Sequence, residues 1–387
     1  MIRFDADERR LFEAAIERFA ADQYSLARCR SGDMECSQPE WRRFAAQGLL
    51  AIGIPPALGG VGGGASELAA VMREIGRNLL SPPFLDSVVV AVTAIHRFAS
   101  EAQAGSRLPM IAQGDLRTGF AHLEARSGND RHHVEAQLAQ GRISGAKSFV
   151  LDATTASEFI VSAREERGDL RLCFVAAGSE GLSLQTYRLP DGRLAAAMTL
   201  ENVSADPMPR VADLDRVLDL AAVCVAAEAV GAIEAINQET LAYAKTRRQF
   251  GSPIGSFQIL QHRLVDMLIA AEEASAIVID ALEAIDSDAP DAAFLVSAAK
   301  AHVDKAGRFV AESAIQVHGG MGMTDECAVG HHLKRLLTIG SQFGTADWHM
   351  DRVARLAALT RAAVRCRDRP LRSQGNSPPA GQGSPDP

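Results

Sequence analysis

The sequence predicts an α+β protein built as an N-terminal α-helical domain, a small central antiparallel β domain and a C-terminal α domain of four-helix-bundle type. Three observations predict it. Apolar residues recur at helical spacing near both ends of the chain, short β-prone runs take over in the middle, and a long proline-free, Ala-rich stretch opens the C-terminal part.

Residues 1–108 form the first domain. LFEAAIERFA, WRRFAAQGLL and ASELAAVMREIG each place apolar side chains at helical spacing, and the loop IPPALGGVGGG interrupts them. Residues 109–210 form the second, where RISGAKSFV, EFIVSAR, RLCFVAA and AAAMTLENV are joined by turn-rich connections. Residues 211–366 form the third. LAAVCVAAEAVGAIEAINQETLAYAKTRRQF has no proline, and its nearly all-apolar first half predicts a helix buried on several sides. FQILQHRLVDMLIAAEEASAIVIDALEAI and DAAFLVSAAKAHVDKAGRFVAESAIQVHGG predict two more long helices, the last stopped by Gly319 and Gly320. Residues 367–387 are rich in Pro, Gly and Ser and almost lack large apolar side chains, which predicts a disordered tail.

A chain of 387 residues, 47% hydrophobic and 23% charged, is long enough to bury a full core and has the composition of a soluble globular protein. Its net charge of −8 and scattered basic residues argue against nucleic acid as a partner. Cys29, Cys36, Cys173, Cys224, Cys327 and Cys366 show neither CxxC pairing nor a metal-ligand rhythm, so a reducing compartment is the simplest reading. No run reaches the roughly 18 apolar residues of a membrane span. MIRFDADERR opens with charge rather than with the basic-then-apolar order of a signal peptide. These readings place the chain in the cytoplasm.

The loop GGVGGGA, Gly59–Ala65, fits the dinucleotide pattern G-x-G-x-x-G/A formally, but that motif works between a strand and a helix, and helices flank it here. The adjacent pairs His132–His133 and His331–His332 lack the spacing that sets two imidazoles on one helix face, so no metal site is expected. No G-x-S-x-G occurs. YAKTRRQFGSPIGSFQILQH, Tyr243–His262, is more informative: cations and amides cluster at a break between two helices. One account is capping plus a solvated face, since Arg247 sits near a helix C-terminus. The other is an anion clamp in which Arg247 binds phosphate, Phe250 packs on an apolar body and Gln258 donates from the next helix. The glycines of QVHGGMGMT, Gln316–Thr324, serve either as a C-cap or as a close approach of backbone to a ligand.

RRQFGSPIGSFQILQHRLVDM followed by IQVHGGMGMT resembles the acyl-CoA dehydrogenase family of flavoproteins, and the α–β–α order agrees. CVAAEAVGAIEA, GHHLKRL and FGTADWH are similar to its small-subunit branch, of the pimeloyl-CoA dehydrogenase small-subunit kind. The resemblance implies FAD held between subunits. Arg247, Arg248 and Gln249 would meet the pyrophosphate region with Phe250 beside them in the cofactor set, Phe257 and Gln258 would make a second contact, and Gln316, Val317, His318, Gly319 and Gly320 would receive the adenosine portion. Thr345 joins this cofactor set. The resemblance also implies an acyl-CoA substrate, a larger homologous subunit as partner and an electron-transfer flavoprotein as acceptor.

Departures from the family pattern gather at the flavin ring and the base. In HLEARSGND, His122–Asp130, Leu123 stands where the family has Thr and Asn129 where it has Ser. In KSFVLDA, Lys147–Ala153, Phe149 replaces a usual Trp and Leu151 a usual Thr. A leucine cannot donate a hydroxyl hydrogen bond to the ring. The usual catalytic Glu falls on Phe343, its alternative place on Ala221, and a substrate-contacting Arg on Ala222. Asp347, Glu228 and Asp219 are the acids that could replace the base. Two functions follow: a subunit that forms an α,β double bond in an acyl-CoA within a hetero-oligomer, or a non-catalytic partner that completes the FAD site of a homologous catalytic chain. Oxidation by oxygen is a minor third.

Overall fold

The computed structural model describes residues 6–128 and 130–367. The expected tail therefore lies outside the described residues, apart from Arg367, and so does Asn129. The N-terminal part holds α1 (Ala6–Gln23), α2 (Leu26–Ser31), α3 (Gln38–Ala46), α4 (Ala65–Arg77), a π-helical turn at Leu85–Val90, α5 (Ala91–Phe98) and α6 (Glu101–Ala112). Ser37 with Glu40 and Ser100 with Gln103 close capping boxes on α3 and α6, satisfying backbone donors that the first helical turn leaves free. Helix α6 runs through Pro109 to Ala112, so helix persists past the expected start of the β region and the first strand begins at Thr118.

The β region comprises β1 (Thr118–Ala121), β2 (Gln137–Ala139), β3 (Arg142–Leu151), β4 (Glu158–Glu165), β5 (Leu170–Ala176), β6 (Leu182–Arg188), β7 (Leu194–Ser204) and β8 (Asp206–Pro207). Their order is β6-β7-β3-β2-β4-β5-β8, with β1 also paired to β4. The pairs β1–β4 and β2–β4 are parallel and the rest antiparallel. Alternation along the strands divides the two faces. Phe159 and Val161 pack into the β region's own core, whereas Ile160, Leu172 and Phe174 join the large helical core. Both faces of this part of the sheet are thereby buried.

The C-terminal part holds α7 (Asp215–Thr246), α8 (Gln258–Asp286), α9 (Ala292–His318), α10 (Ala328–Ser341) and α11 (Ala346–Arg367). A two-residue ladder between β9 (Arg248–Gln249) and β10 (Ser252–Pro253) fills the break after α7. Helix α7 is buried almost continuously from Val217 to Ile233, as its apolar sequence predicts. Glycines let α4 and α7 touch backbone to backbone. A Cβ at Gly76 would stand 1.9 Å from the Glu228 carbonyl oxygen, and one at Gly231 would stand 1.8 Å from that of Arg73. From the end of α8, Asp286 accepts from the N–H groups of Ala65 and Ser66 and so caps α4.

A buried ionic network ties the three parts together. Arg335 of α10 donates through Nη1 to Glu228 Oε1 (2.8 Å) and the Leu80 carbonyl (2.9 Å), and through Nη2 to Ser81 Oγ (2.8 Å). Its Nε lies 2.8 Å from Asp191, which also accepts from Arg193 at 2.7 Å. Each charge has an opposite partner, the condition under which buried charges are tolerated.

Candidate functional site

A cavity of about 220 Å³ lies where the π-helical turn, the β region and the start of α11 meet. Its wall includes Leu85, Asp86, Phe120, Leu123, Phe149, Leu151, Leu218, Phe343 and Trp348. The fold therefore gathers Leu123, Phe149, Leu151 and Phe343, four of the residues that mark the family departures, around one space. Phe343 has φ of 55°, a left-handed conformation uncommon for a bulky residue, and is followed by Gly344 at 114°. Its carbonyl accepts from His349 Nε2 at 3.2 Å and faces Arg131 Nη2 at 3.5 Å. Burial first, then the charges of Lys300 and Arg131, pushes His349 down to about 3, so it is neutral and a donor here.

The segment entering the cavity after β1 is held from behind. His122 Nε2 meets the Arg131 carbonyl at 2.8 Å and its Nδ1 meets Ser162 Oγ at 2.9 Å; the carbonyl contact assigns the ring proton to Nε2. Burial and the Lys147 charge push His122 down to about 4. Lys147, fully buried, donates to Glu124 at 2.6 Å and to Ser162 Oγ at 3.0 Å. Glu124, His133 and Glu135 bring three ligand-type atoms within 4.8 Å of one another. The Glu124 carboxylate, however, already serves Lys147 and the N–H groups of Glu135 and Ala136.

Of the three acids expected as possible bases, none presents a free carboxylate to this cavity. Asp219 accepts from Arg131 Nη1 at 2.7 Å and from both Arg352 terminal nitrogens at 2.7 and 2.8 Å. Glu228 shares a face of α7 with Ala221 as its spacing predicts, but it is 1% exposed and ion-paired with Arg335. Asp347 is exposed on the first turn of α11, outside the cavity wall. Ala221 and Ala222 are wholly buried in the core.

The buried acid in the cavity wall is Asp86, which the sequence reading missed; Asp130, also in the wall, is exposed. Asp86 is 6% exposed, and its Oδ2 accepts from the Phe120 N–H at 3.2 Å. Burial first, with the nearby Asp152 adding to it against that hydrogen bond, pushes its carboxyl up to about 8. Next to it Ser87 Oγ donates to the Thr118 carbonyl at 2.9 Å and accepts from the Thr118 N–H at 3.0 Å, pinning the π-helical turn to β1. A signal was present: Asp86 and Ser87 alone interrupt the apolar run from Phe84 to Val92.

The residues expected at a diphosphate form a second cluster, on the surface. Arg247, Arg248, Gln249, Phe250, Gln258, Gln316, Gly319 and Gly320 are exposed, Phe250 to 94%. Phe257 caps the start of α8 and meets Phe250 edge-on at 6.2 Å. Val317 and His318 turn inwards instead. Val317 packs with Ala244 and Ile254, while His318 stacks on Tyr243 at 4.4 Å and meets the Ala314 carbonyl at 2.9 Å. Their side chains seat the end of α9, so only backbone faces out there. Thr345 Oγ1 accepts from the Trp348 N–H at 3.4 Å and begins α11. Around the cluster, Ile259, Val265, Leu268, Ile269, Phe309, Met321 and Met323 add exposed apolar surface.

Comparison with known proteins gives two family-model matches: acyl-CoA dehydrogenase, N-terminal domain, over residues 6–115, and acyl-CoA dehydrogenase, C-terminal domain, over residues 212–358. Acyl-CoA dehydrogenase IpdE2 of Mycobacterium tuberculosis is 30% identical over 341 residues, covering 85% of this chain and 91% of that protein. The Tcur3481–Tcur3483 steroid ACAD superposes with a TM-score of 0.85 at 28% identity, covering 92% of this chain and 99% of that one. The ChsE4–ChsE5 complex from Mycobacterium tuberculosis superposes with a TM-score of 0.84 at 25% identity, with the same coverage.

Proposed function

Because the chain belongs to the acyl-CoA dehydrogenase family, we propose that it is the small subunit of a hetero-oligomeric, FAD-dependent enzyme that introduces an α,β double bond into an acyl-CoA thioester. Its larger homologous partner holds most of the flavin and supplies the base. The observation that carries this reading is a division of labour: groups suited to a diphosphate stand on an exposed face, while Phe343 fills the base's place in the chain's own cleft. That the similar ChsE4–ChsE5 is a complex of two chains supports a two-chain enzyme.

The exposed face fits FAD. Arg247 and Arg248 offer the forked donors that suit diphosphate oxygens. A Cβ at Gly319 or Gly320 would meet nothing within 4 Å, so the turn is open for a ligand to approach. Gln249, Gln258 and Gln316 add amide donors, and Phe250 and Phe257 an apolar edge. Bound there, FAD would supply the acceptor for the β hydride lost as a base takes the α proton. Electrons then leave to an electron-transfer flavoprotein, and the cytoplasm is the compartment assigned. The chain's own cleft fits the ring less well, since Leu123 and Leu151 carry no hydroxyl.

The surrounding exposed apolar side chains suit burial against another chain. In the purified assembly, Arg247→Ala should lower the FAD-to-protein ratio while the fold persists, and an unchanged ratio would contradict the clamp. A second reading keeps the chemistry in this chain. It is favoured by the retained cavity and by Asp86 in its wall.

A further inference from the structure

We propose that Asp86 recognises an uncharged oxygen substituent, a hydroxyl or a keto group, on the acyl body of a ligand held in this cleft. The inference rests on the reading that the chain handles acyl-CoA thioesters, and it concerns binding, whichever subunit does the chemistry. One carboxyl oxygen is committed to the Phe120 N–H. The other has no hydrogen-bond partner among the described residues, and no cation forms an ion pair with this carboxyl. A carboxyl so nearly buried, yet left half-satisfied at a cavity wall, is a costly arrangement that a ligand oxygen would relieve.

The neighbouring wall sharpens the chemistry. Leu85, Phe120, Phe149, Leu151 and Leu218 offer only apolar contact, while Asp86 and the buried Gln342 amide, which has no partner of its own among the described residues, mark where an oxygen is accepted. Pushed up by burial to about 8, the Asp86 carboxyl carries a proton near neutrality and both donates and accepts. A charged terminus would lose its water against a largely apolar wall, a carboxylate facing Asp130 and an ammonium facing Arg131, whose own charge is already paired with Asp219. A neutral oxygen avoids both costs. The pinning of Ser87 to β1 holds the Asp86 backbone in place.

The test is a binding titration of the full chain with two acyl-CoAs of one carbon skeleton, one bearing a hydroxyl or keto group. Quenching of Trp348, in the cavity wall, reports occupancy; the other tryptophan, Trp41, is fully buried in the N-terminal core. The wild type should prefer the oxygenated ligand by about tenfold, the scale of one net hydrogen bond. Asp86→Asn should keep most of that preference, and Asp86→Leu should abolish it. Equal binding of the two ligands by the wild type would overturn the inference, as would a preference that survives in Asp86→Leu. Binding of neither acyl-CoA would overturn the inference, since it needs an acyl ligand in this cleft, and would leave the shared-cofactor reading to the flavin spectrum of the assembly.

Discussion

Arg131, in the cavity wall, and Asp219 of α7 form an ion pair, with Nη1 of the arginine 2.7 Å from Oδ1 of the aspartate. The same guanidinium lies 4.4 Å over the Trp348 ring. The contact joins the segment after β1 to α7 and commits an acid that sequence alone made a possible base. Removing it would leave Arg131 and Arg352 without their shared anion in a nearly buried setting. Asp219→Asn should therefore destabilise the fold by about 3–5 kcal/mol, read as a lower urea midpoint with an unchanged slope. A midpoint equal to wild type would show that solvent screens the cluster.

Close passage of α4 over α7 gives the second expectation. On an exposed helix Gly→Ala gains about 1 kcal/mol. At Gly231 the added methyl would stand 1.8 Å from a backbone oxygen, which cannot swing aside as a side chain can. Overpacking should win, so Gly231→Ala should lose about 1–3 kcal/mol or more in chemical denaturation.

Much of this was legible in the sequence, for physical reasons that also mark where legibility stopped. Helix α7 is local information: an Ala-rich apolar run without proline has little choice but a buried helix. Residues Arg247–Phe250 drew notice as a candidate clamp because their chemistry is written in adjacent positions. Glu228 and Asp219 stood among the possible bases because their partners, Arg335 and Arg131, are remote in sequence and no spacing rule reveals them. Val317 and His318 sit inside a recognised motif yet face the core, since a helix turns successive side chains through different directions. Asp86 was missed because an acid in an apolar run gains meaning only once a cavity opens beside it.

Stability should depend on pH through Asp86 and Asp152, pushed up mainly by burial to about 8 and about 7. A carboxyl held above its ordinary value stabilises the fold fully below that ordinary value, 3.8 here, and the contribution fades as pH rises through the folded value. The thermal midpoint should thus fall between about pH 6.5, above which the histidines no longer oppose the effect, and about pH 8, and Asp86→Asn should flatten the fall. His332 and His349, both pushed down to about 3, act on the other side, below their ordinary 6.5. A slope unchanged in Asp86→Asn would mean that the carboxyl titrates normally.

Restoring a carboxylate at the base's place separates the two functional readings. Phe343 already occupies a left-handed conformation, so Glu there adds no new class of backbone strain. If the larger subunit does the chemistry, Phe343→Glu should leave acyl-CoA turnover by the assembly unchanged. A rise of about a hundredfold, the scale of a supplied general base, would place the reaction in this cleft.

The shared cofactor site is tested most directly by the visible absorption spectrum of the chain purified alone and purified with its larger homologous partner. A lone chain without flavin bands, and an assembly that shows them, is the predicted result. Flavin bound stoichiometrically by the lone chain would contradict a site completed between subunits and return the chemistry to the cleft beside Phe343.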